Sequence, residues 1–373
     1  MNTFYSKIAF FAVAACATLF VVGCSSVKRP VSVFIDGERN HVQGIAWDDA
    51  AAKMYLSFTT RFIIADSRGV QTGSVDRIHG HLGAMTFDPV GRKVYASLEK
   101  KNDEIGANIS KGLGVKGYSE STFYVAEIDV DRIDHPDTEM DFVMQLHNIV
   151  PANEDYNASV NVGGKKLKHR FGCSGIDGVT VAPGFAGDST RYLYVAYGIY
   201  SDNSRTDNDC QILLRYPLDN LDSEPERFFV QTGNTNYGVQ NLAYDPYTNL
   251  MFLVVYKGSK PWYVNYEMFA VDMSARPVSG IPAGIPYLKH SVNILSLAVP
   301  GWHFKYGSCG LCPLGDGYWY FAENGKYETA DGIRLNDCDA HLYKWTGTAE
   351  PRGKGARLLY DWNDAAPFER LKK

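Results

Sequence analysis

The chain has 373 residues, 45% of them hydrophobic and 13% aromatic, and carries a formal net charge of -5. This composition is typical of a globular protein with a large core, which excludes a disordered or fibrous chain. The mildly acidic balance, without a basic stripe, argues against nucleic acid as a partner.

The first 23 residues have the pattern of an export signal. Lys7 provides a positive charge, and residues 8–22 are apolar. Polar residues from Ser25 onward end this run before the roughly 20 residues that a membrane-spanning helix needs. We therefore predict that residues 1–23 are a cleaved signal peptide.

The end of this signal carries a short motif, Val21-Val22-Gly23-Cys24. It resembles the bacterial lipobox, which implies that Cys24 receives acyl chains such as palmitate and anchors the chain to a lipid membrane. Ser25 in place of Asp then favours a cell-envelope position in the outer membrane, facing the periplasm or the surface. The alternative is an ordinary signal peptide with a chance cysteine.

A repeat organises the rest of the chain. Three fifteen-residue segments, starting at Gly44, Ala84 and Asn241, align without a gap as strand, turn and strand. An aspartate stands at the same turn position in each, where its side chain can accept hydrogen bonds from the turn backbone. These aspartates are Asp48, Asp88 and Asp245.

Two further units, near residues 178 and 313, fit the pattern with altered turns, and third and fourth strands follow in most units. Such repeats predict an all-β fold, a β-propeller with five four-stranded blades in a single domain of residues 41–373. The blades start near residues 41, 81, 175, 238 and 310. Residues 24–40 would form a tether and a ring-closing strand. A sixth blade within residues 277–308 and a β-sandwich are the alternatives.

The hairpins, for example Phe87-Asp88-Pro89 followed by Lys93-Val94-Tyr95, resemble those of the NHL and YVTN propeller repeats. That resemblance implies an architecture and no activity. In a propeller, the connections between second and third strands share one end of the channel with the starts of the first strands. These connections are long and rich in aromatic residues, including Trp262 and Tyr263, so we place the functional surface there.

Candidate binding residues stand where the first strands begin. The repeat puts Gln43, Gly83, Asp177, Gln240 and Cys312 in register, with His41, His81 and Asn241 beside them. This mixed nitrogen and oxygen set could hold a metal ion in the channel, although histidines at strand starts are more often structural.

The same positions hold few acids. Calcium-dependent lactonase and esterase propellers, similar in outline, need several converging oxygens. Glycosidases need two or three acids, and the sequence offers Asp177 and, less clearly, Glu323. We therefore expect a protein that is not an enzyme and binds a protein, glycan or small ligand. A hydrolase of lactonase, esterase or glycosidase type, centred on Asp177, His81, Gln240 and Asn241, is the alternative.

Five cysteines remain after Cys16 and Cys24. Cys173 with Cys210 in blade three, and Cys309 with Cys338 in blade five, each run from the start of a first strand to an Asn-Asp-Cys before the third strand, which suggests two equivalent disulfides in an exported protein. Cys312 with Cys338 is the rival pairing. First and third strands lie about two strand spacings apart, so either bridge requires cysteines beyond the strand ends.

Overall fold

The computed structural model describes residues 29–199, 201–233, 236–347 and 365–372. Its main sheets are antiparallel and surround a central channel, one sheet for each repeat. The predicted all-β propeller of five blades is confirmed.

The strand bounds follow the repeat. Blade one consists of Gly44–Asp48, Lys53–Ser57, Phe62–Asp66 and Gln71–Val75. Blade two consists of His81–Asp88, Lys93–Lys100, Thr122–Asp129 and Met144–Asn148. Blade three consists of Cys173–Pro183, Arg191–Ile199, Cys210–Pro217 and Glu226–Gln231. Blade four consists of Val239–Asp245, Leu250–Val255 and Met268–Asp272, with irregular residues near 297 and 302 bridged to its outer edge. Blade five consists of Leu311–Pro313, Tyr318–Glu328, Arg334–Trp345 and Ser32–Glu38.

Blade five joins both ends of the described chain. The early strand Ser32–Glu38 pairs with Arg334–Trp345, and the short strand Phe368–Arg370 pairs with the far end of the same partner. Backbone hydrogen bonds between the early and late parts of the chain therefore close the ring.

The segment that could have held a sixth blade does not form one. Its strands Val278–Gly280 and Val292–Leu295 extend blade three, and the second of them runs parallel to Glu226–Gln231. Five blades therefore complete the ring.

The remaining regular elements lie in the connections. The α-helices are Glu104–Leu113, Met140–Val143 and Val150–Asn157, the 3₁₀ turns are Val130–Arg132 and Arg170–Gly172, and a small hairpin joins Ser159–Val162 to Lys165–Lys168. Among the described residues, no helix has the length and apolar character needed to cross a membrane. We call the channel end where first strands begin the loop face, and the opposite end the hairpin face.

The turn aspartates act as the repeat predicts. Asp48 accepts hydrogen bonds from the backbone amides of residues 50 and 51, at 2.9 and 3.1 Å. Asp88 and Asp245 make the same pair of contacts in their own hairpins. A short acceptor at this position fixes the turn and thereby the register of each blade's first two strands.

The core lies between the blades. Five separate clusters of buried apolar side chains each join one blade to the next, and the fifth joins blade five back to blade one. Tyr55, Tyr194 and Trp319 are among the largest side chains that are fully buried there. Because a blade cannot bury both faces alone, this arrangement stabilises only the complete ring.

His147 gives one blade contact a pH dependence. Its ring nitrogens lie 3.4 Å from Glu127 Oε2 and 3.2 Å from Asp222 Oδ1, which links blade two to blade three. Contact with Glu127, against an opposing effect of burial, raises the pKa of His147. The stabilisation is therefore complete below the ordinary histidine pKa near 6.5 and is lost as pH rises through the higher folded-state value.

We expect His147→Gln to remove up to about 1 kcal/mol of the free energy of unfolding at pH 6. The difference from the unsubstituted chain should shrink as pH rises toward 8. Urea unfolding of both chains across this range measures it, and a difference that does not vary with pH would contradict the assignment.

Candidate functional site

The loop face brings several predicted residues to the channel. Gly83, Asp177 and Gln240 each lie where the pairing between first and second strands shifts its register. Such irregularities re-aim side chains. Gln240 Nε2 donates to Asp177 Oδ2 at 3.3 Å, so blades three and four meet in the channel.

Asp177 has two close neighbours from blade two. His81, Glu99 and Asp177 each place a potential ligand atom within 4.8 Å of the other two. They form the only such group of three among the residues that the structure describes. The side chain of Glu99 is 2% exposed and that of His81 is 18% exposed.

Lys101 completes this group, which we call the channel cluster: His81, Glu99, Lys101 and Asp177. Lys101 Nζ lies 2.6 Å from Glu99 Oε2, and His81 Nδ1 lies 3.7 Å from the same oxygen. Two carboxylates, one ammonium and one imidazole therefore share a nearly dry volume, where their mutual interactions are strong.

Glycines make room for these acids. A Cβ on Gly175, whose φ is +135°, would lie 1.9 Å from Glu99 Oε1. A Cβ on Gly198 would lie 2.4 Å from Asp177 Oδ2. Larger residues at either position would displace a carboxylate, so the backbone of blade three is shaped around the channel cluster.

Burial dominates the protonation of the channel cluster. It raises the pKa of Glu99 to about 8, an effect that the Lys101 ammonium partly offsets. It also raises the pKa of Asp177 and lowers that of His81 to about 3. His81 is therefore neutral, which is the form that binds metal ions.

Two buried atoms of the channel cluster lack a hydrogen-bond partner: His81 Nδ1 and Glu99 Oε1. A buried polar atom without a partner is costly and calls for an explanation. Imidazole nitrogen and carboxylate oxygen bind a transition-metal ion at about 2.0–2.2 Å, so ligands of one ion lie at most about 4.4 Å apart. The three ligand atoms lie within 4.8 Å of one another, slightly more than that limit, so the donor types fit a metal ion and a small inward movement of the side chains would complete its coordination.

Other predicted residues lie elsewhere. Gln43 Nε2 contacts His41 Nε2 at 3.0 Å and Thr59 Oγ1 at 3.5 Å, which makes a separate pair beside blade one. Glu323 accepts hydrogen bonds from Tyr343 and Arg370 and is no member of the channel cluster.

Asn241 differs from the prediction that it binds a ligand. Its side chain is buried, and its Nδ2 donates to the backbone oxygens of Gln43 at 3.0 Å and of Ser308 at 2.9 Å. It therefore connects blade four to blades one and five. Both of its amide hydrogens are therefore occupied by backbone carbonyl groups of other blades.

Trp262 and Tyr263 lie on the connection between the second and third strands of blade four. Trp262 is fully exposed at a φ of +69°. Tyr263 donates to Asp209 Oδ2 at 3.1 Å. Lys260, which also contacts Asp209, and Asn265, whose side chain donates to the Tyr263 carbonyl at 2.9 Å, brace this loop from below.

The predicted disulfides, Cys173 with Cys210 and Cys309 with Cys338, are absent. All five cysteines in the described residues are free. Cys173 stands opposite Ile199, whereas Cys210 stands opposite Gln231, so an entire strand separates the two cysteines. The rival pair fails for a similar reason, since Cys312 stands opposite Tyr320 but Cys338 stands opposite Asn324. Cys309 lies before its strand Leu311–Pro313, yet it too is free.

Sequence reasoning missed Glu99 and Lys101 because it considered only first strands. A signal was present: extending the aligned repeat by one residue places Thr59, Glu99 and Tyr256 in register at the ends of second strands. Antiparallel pairing brings that end beside the start of the first strand, as the pair His81 and Glu99 demonstrates.

Comparisons with known proteins find only weak likenesses. No family model and no curated protein matches the chain, so the likeness to NHL and YVTN repeats stays a resemblance. Among solved structures, a gluconolactonase from Xanthomonas campestris is 13% identical, with coverage of 82% of this chain and 79% of that chain and a TM-score of 0.35.

Two further solved structures are similar at the same level. A luciferin-regenerating enzyme is 10% identical, with 82% and 95% coverage and a TM-score of 0.35. The β-propeller domain of Myceliophteria thermophila Cps50 (Swd1) is 9% identical, with 80% and 82% coverage and a TM-score of 0.32. Likenesses this weak carry no activity to the chain.

Proposed function

We propose that the chain is an exported, lipid-anchored propeller that hydrolyses an ester or lactone with the help of a metal ion at its loop face. The observation that carries the proposal is the convergence of His81, Glu99 and Asp177 on one small volume. A purely binding protein was expected because the sequence offered one clear channel acid. Glu99 supplies the second and removes that reason.

The donor set indicates the kind of ion. Calcium takes six to eight oxygen ligands, whereas an imidazole with two carboxylates suits zinc or manganese. Three protein ligands leave a coordination position for water or substrate, which is the pattern of catalytic metal sites. When bound, such an ion polarises a carbonyl group or lowers the pKa of a bound water.

The chain's own side chains orient and balance this site. Lys101 holds Glu99 through its 2.6 Å contact and brings a positive charge to where a substrate oxygen would become negative. Gln240 donates to Asp177 and fixes the direction of that carboxylate. Lys101 is also the rival of the metal ion, because an ammonium alone can neutralise Glu99.

Measuring metal binding shows whether Lys101 supports a metal site or takes the place of the metal ion. The purified chain is titrated with zinc, manganese and calcium by calorimetry, its metal content is measured, and a panel of esters and lactones is tested. We expect about one equivalent of zinc or manganese to bind, weaker binding of calcium, and turnover of at least one substrate class. No binding and no turnover would overturn the proposal and leave the cluster as a buried ion-pair network.

Anchoring through Cys24 is tested independently. Cys24 lies outside the described residues, so the proposal rests on the lipobox resemblance. The intact mass of the chain recovered from bacterial membranes should match residues 24–373 plus acyl chains. A chain that starts elsewhere, or carries no lipid, would refute this part and leave the metal site unaffected.

A binding role for the loop face is a second candidate, and Trp262 favours it. An aromatic side chain that is fully exposed, next to the exposed Tyr263 and Val264, is unusual for a loop braced this firmly. Its conformation at positive φ is held at some energetic cost, as is common in binding sites.

We expect Trp262→Ala to change the free energy of unfolding by no more than about 0.5 kcal/mol, because the side chain has no packing to lose. Binding to a glycan array or an immobilised peptide library should fall at least tenfold. Leu250, buried at the hairpin end of the same blade, provides a contrast, since Leu250→Ala should destabilise the fold. Undiminished binding by the Trp262 variant would dismiss this candidate.

A further inference from the structure

The hairpin face contains a cavity that the sequence did not predict. Its volume is about 590 Å³, within the roughly 300–1,000 Å³ range of small-molecule sites. All five blades contribute to its wall, which is mostly apolar. The wall includes Trp47, Met85, Phe87, Leu242, Leu311 and Leu314.

The charged groups around this cavity are already paired. Arg92 contacts Asp48 and Asp131, and Arg191 contacts Asp88. No guanidinium in the described rim is therefore free to receive an anionic head group. The cavity suits a neutral apolar chain better than a fatty acid or an anionic lipid.

The N-terminal segment reaches the same rim. Arg29, the first residue described, pairs with Asp49 and Asp316, which lie in the hairpins of blades one and five. Asp49 lines the cavity, and Asp316 follows the lining residue Gly315. The described chain therefore begins at the hairpin face, beside the mouth of the cavity.

Only five residue steps separate Arg29 from Cys24. Even a fully extended chain spans at most about 3.6 Å per residue, so Cys24 lies within about 18 Å of Arg29. A lipid on Cys24 is thus confined close to the cavity, and such confinement gives a tethered group a high effective concentration.

We propose that the cavity of the hairpin face holds an acyl chain of the lipid carried by Cys24. The inference rests on the anchoring part of the proposed function and is independent of the metal site. It also orients the molecule: the hairpin face lies toward the membrane, and the loop face with its channel cluster points away from it. The acyl chain binds through apolar contact alone, since no head group has to be recognised.

Photo-crosslinking tests the occupant directly. Bacteria that express the full chain are fed a palmitic acid with a diazirine group, irradiated, and the purified protein is digested and mapped by mass spectrometry. We expect the labelled chain on Cys24 to crosslink to cavity residues in the peptides that contain Met85, Leu242 or Leu314. A Leu314→Trp variant, which fills the mouth, should lose at least nine-tenths of these crosslinks.

Val70→Trp is the matched control, because Val70 is exposed on the hairpin side but does not line the cavity. It should crosslink as the unsubstituted chain does. Cavity crosslinks that persist in Cys24→Ala would assign the cavity to a bilayer lipid and overturn the inference. An acylated chain, shown by its intact mass, whose crosslinks lie only in phospholipid would also overturn it while leaving the anchor in place. An intact mass that shows no acyl chains would overturn both the cavity inference and the anchoring through Cys24.

Discussion

Glu99→Gln is expected to lower the metal content of the chain below a tenth of its normal value and to reduce turnover at least about 100-fold. Glutamine keeps the size of the side chain but has no proton to release, so it cannot become the anionic ligand that a divalent ion requires. Losses of 10–100-fold follow even from changes behind metal ligands, so the loss of a ligand itself should be larger. Calorimetric titration with zinc or manganese and steady-state rates measure the two effects.

Glu323→Gln is the control for this variant. Glu323 occupies the second strand of blade five as Glu99 occupies that of blade two, but it pairs with Arg370 and lies outside the channel cluster. Metal content and turnover should be unchanged in it. If Glu99→Gln instead loses several kcal/mol of stability with no effect on metal content, Glu99 only neutralises Lys101, as breaking a buried ion pair would imply.

The fold could be predicted because its determinants are local. Each hairpin carries a turn aspartate with two apolar strands, and five repetitions leave little choice but a closed ring. The closure of the ring was harder to predict, because the strand that pairs with Ser32–Glu38 is some 300 residues away in the sequence. The outer edge of blade four departs from a regular strand, and nothing in the hairpin pattern encodes that.

The channel cluster could be predicted only in part. Register along first strands pointed to Asp177, and His81 was included as a neighbour of the register position Gly83; the structure places both in the channel cluster. Asn241 was included as a neighbour of Gln240, but its amide joins backbone groups of blades one and five, contacts that exist only in the closed ring. The hairpin face has short turns, and no residue pattern in them predicted a cavity. A cavity made by five converging turns depends on their spacing around the axis, which no single turn specifies.

Asn241→Ala is expected to lower the free energy of unfolding by about 2–4 kcal/mol, since it leaves the carbonyl groups of Gln43 and Ser308 without their buried donor. Each unsatisfied group of this kind costs about 1–3 kcal/mol. Because a domain is stable by only about 5–15 kcal/mol, the loss should be plain in urea unfolding. The three blades joined by Asn241 include both sides of the ring closure, so the variant should also unfold faster.

Gln240→Ala is the matched variant, one residue away and with one hydrogen bond of 3.3 Å to Asp177. It should cost less than about 1 kcal/mol of stability while weakening metal binding, because the orientation of Asp177 is lost. The two variants are therefore expected to differ: Asn241→Ala lowers the stability of the fold, and Gln240→Ala weakens metal binding at the channel cluster. An Asn241 variant of normal stability that no longer binds metal would reverse these roles and return Asn241 to the set of ligand-binding residues.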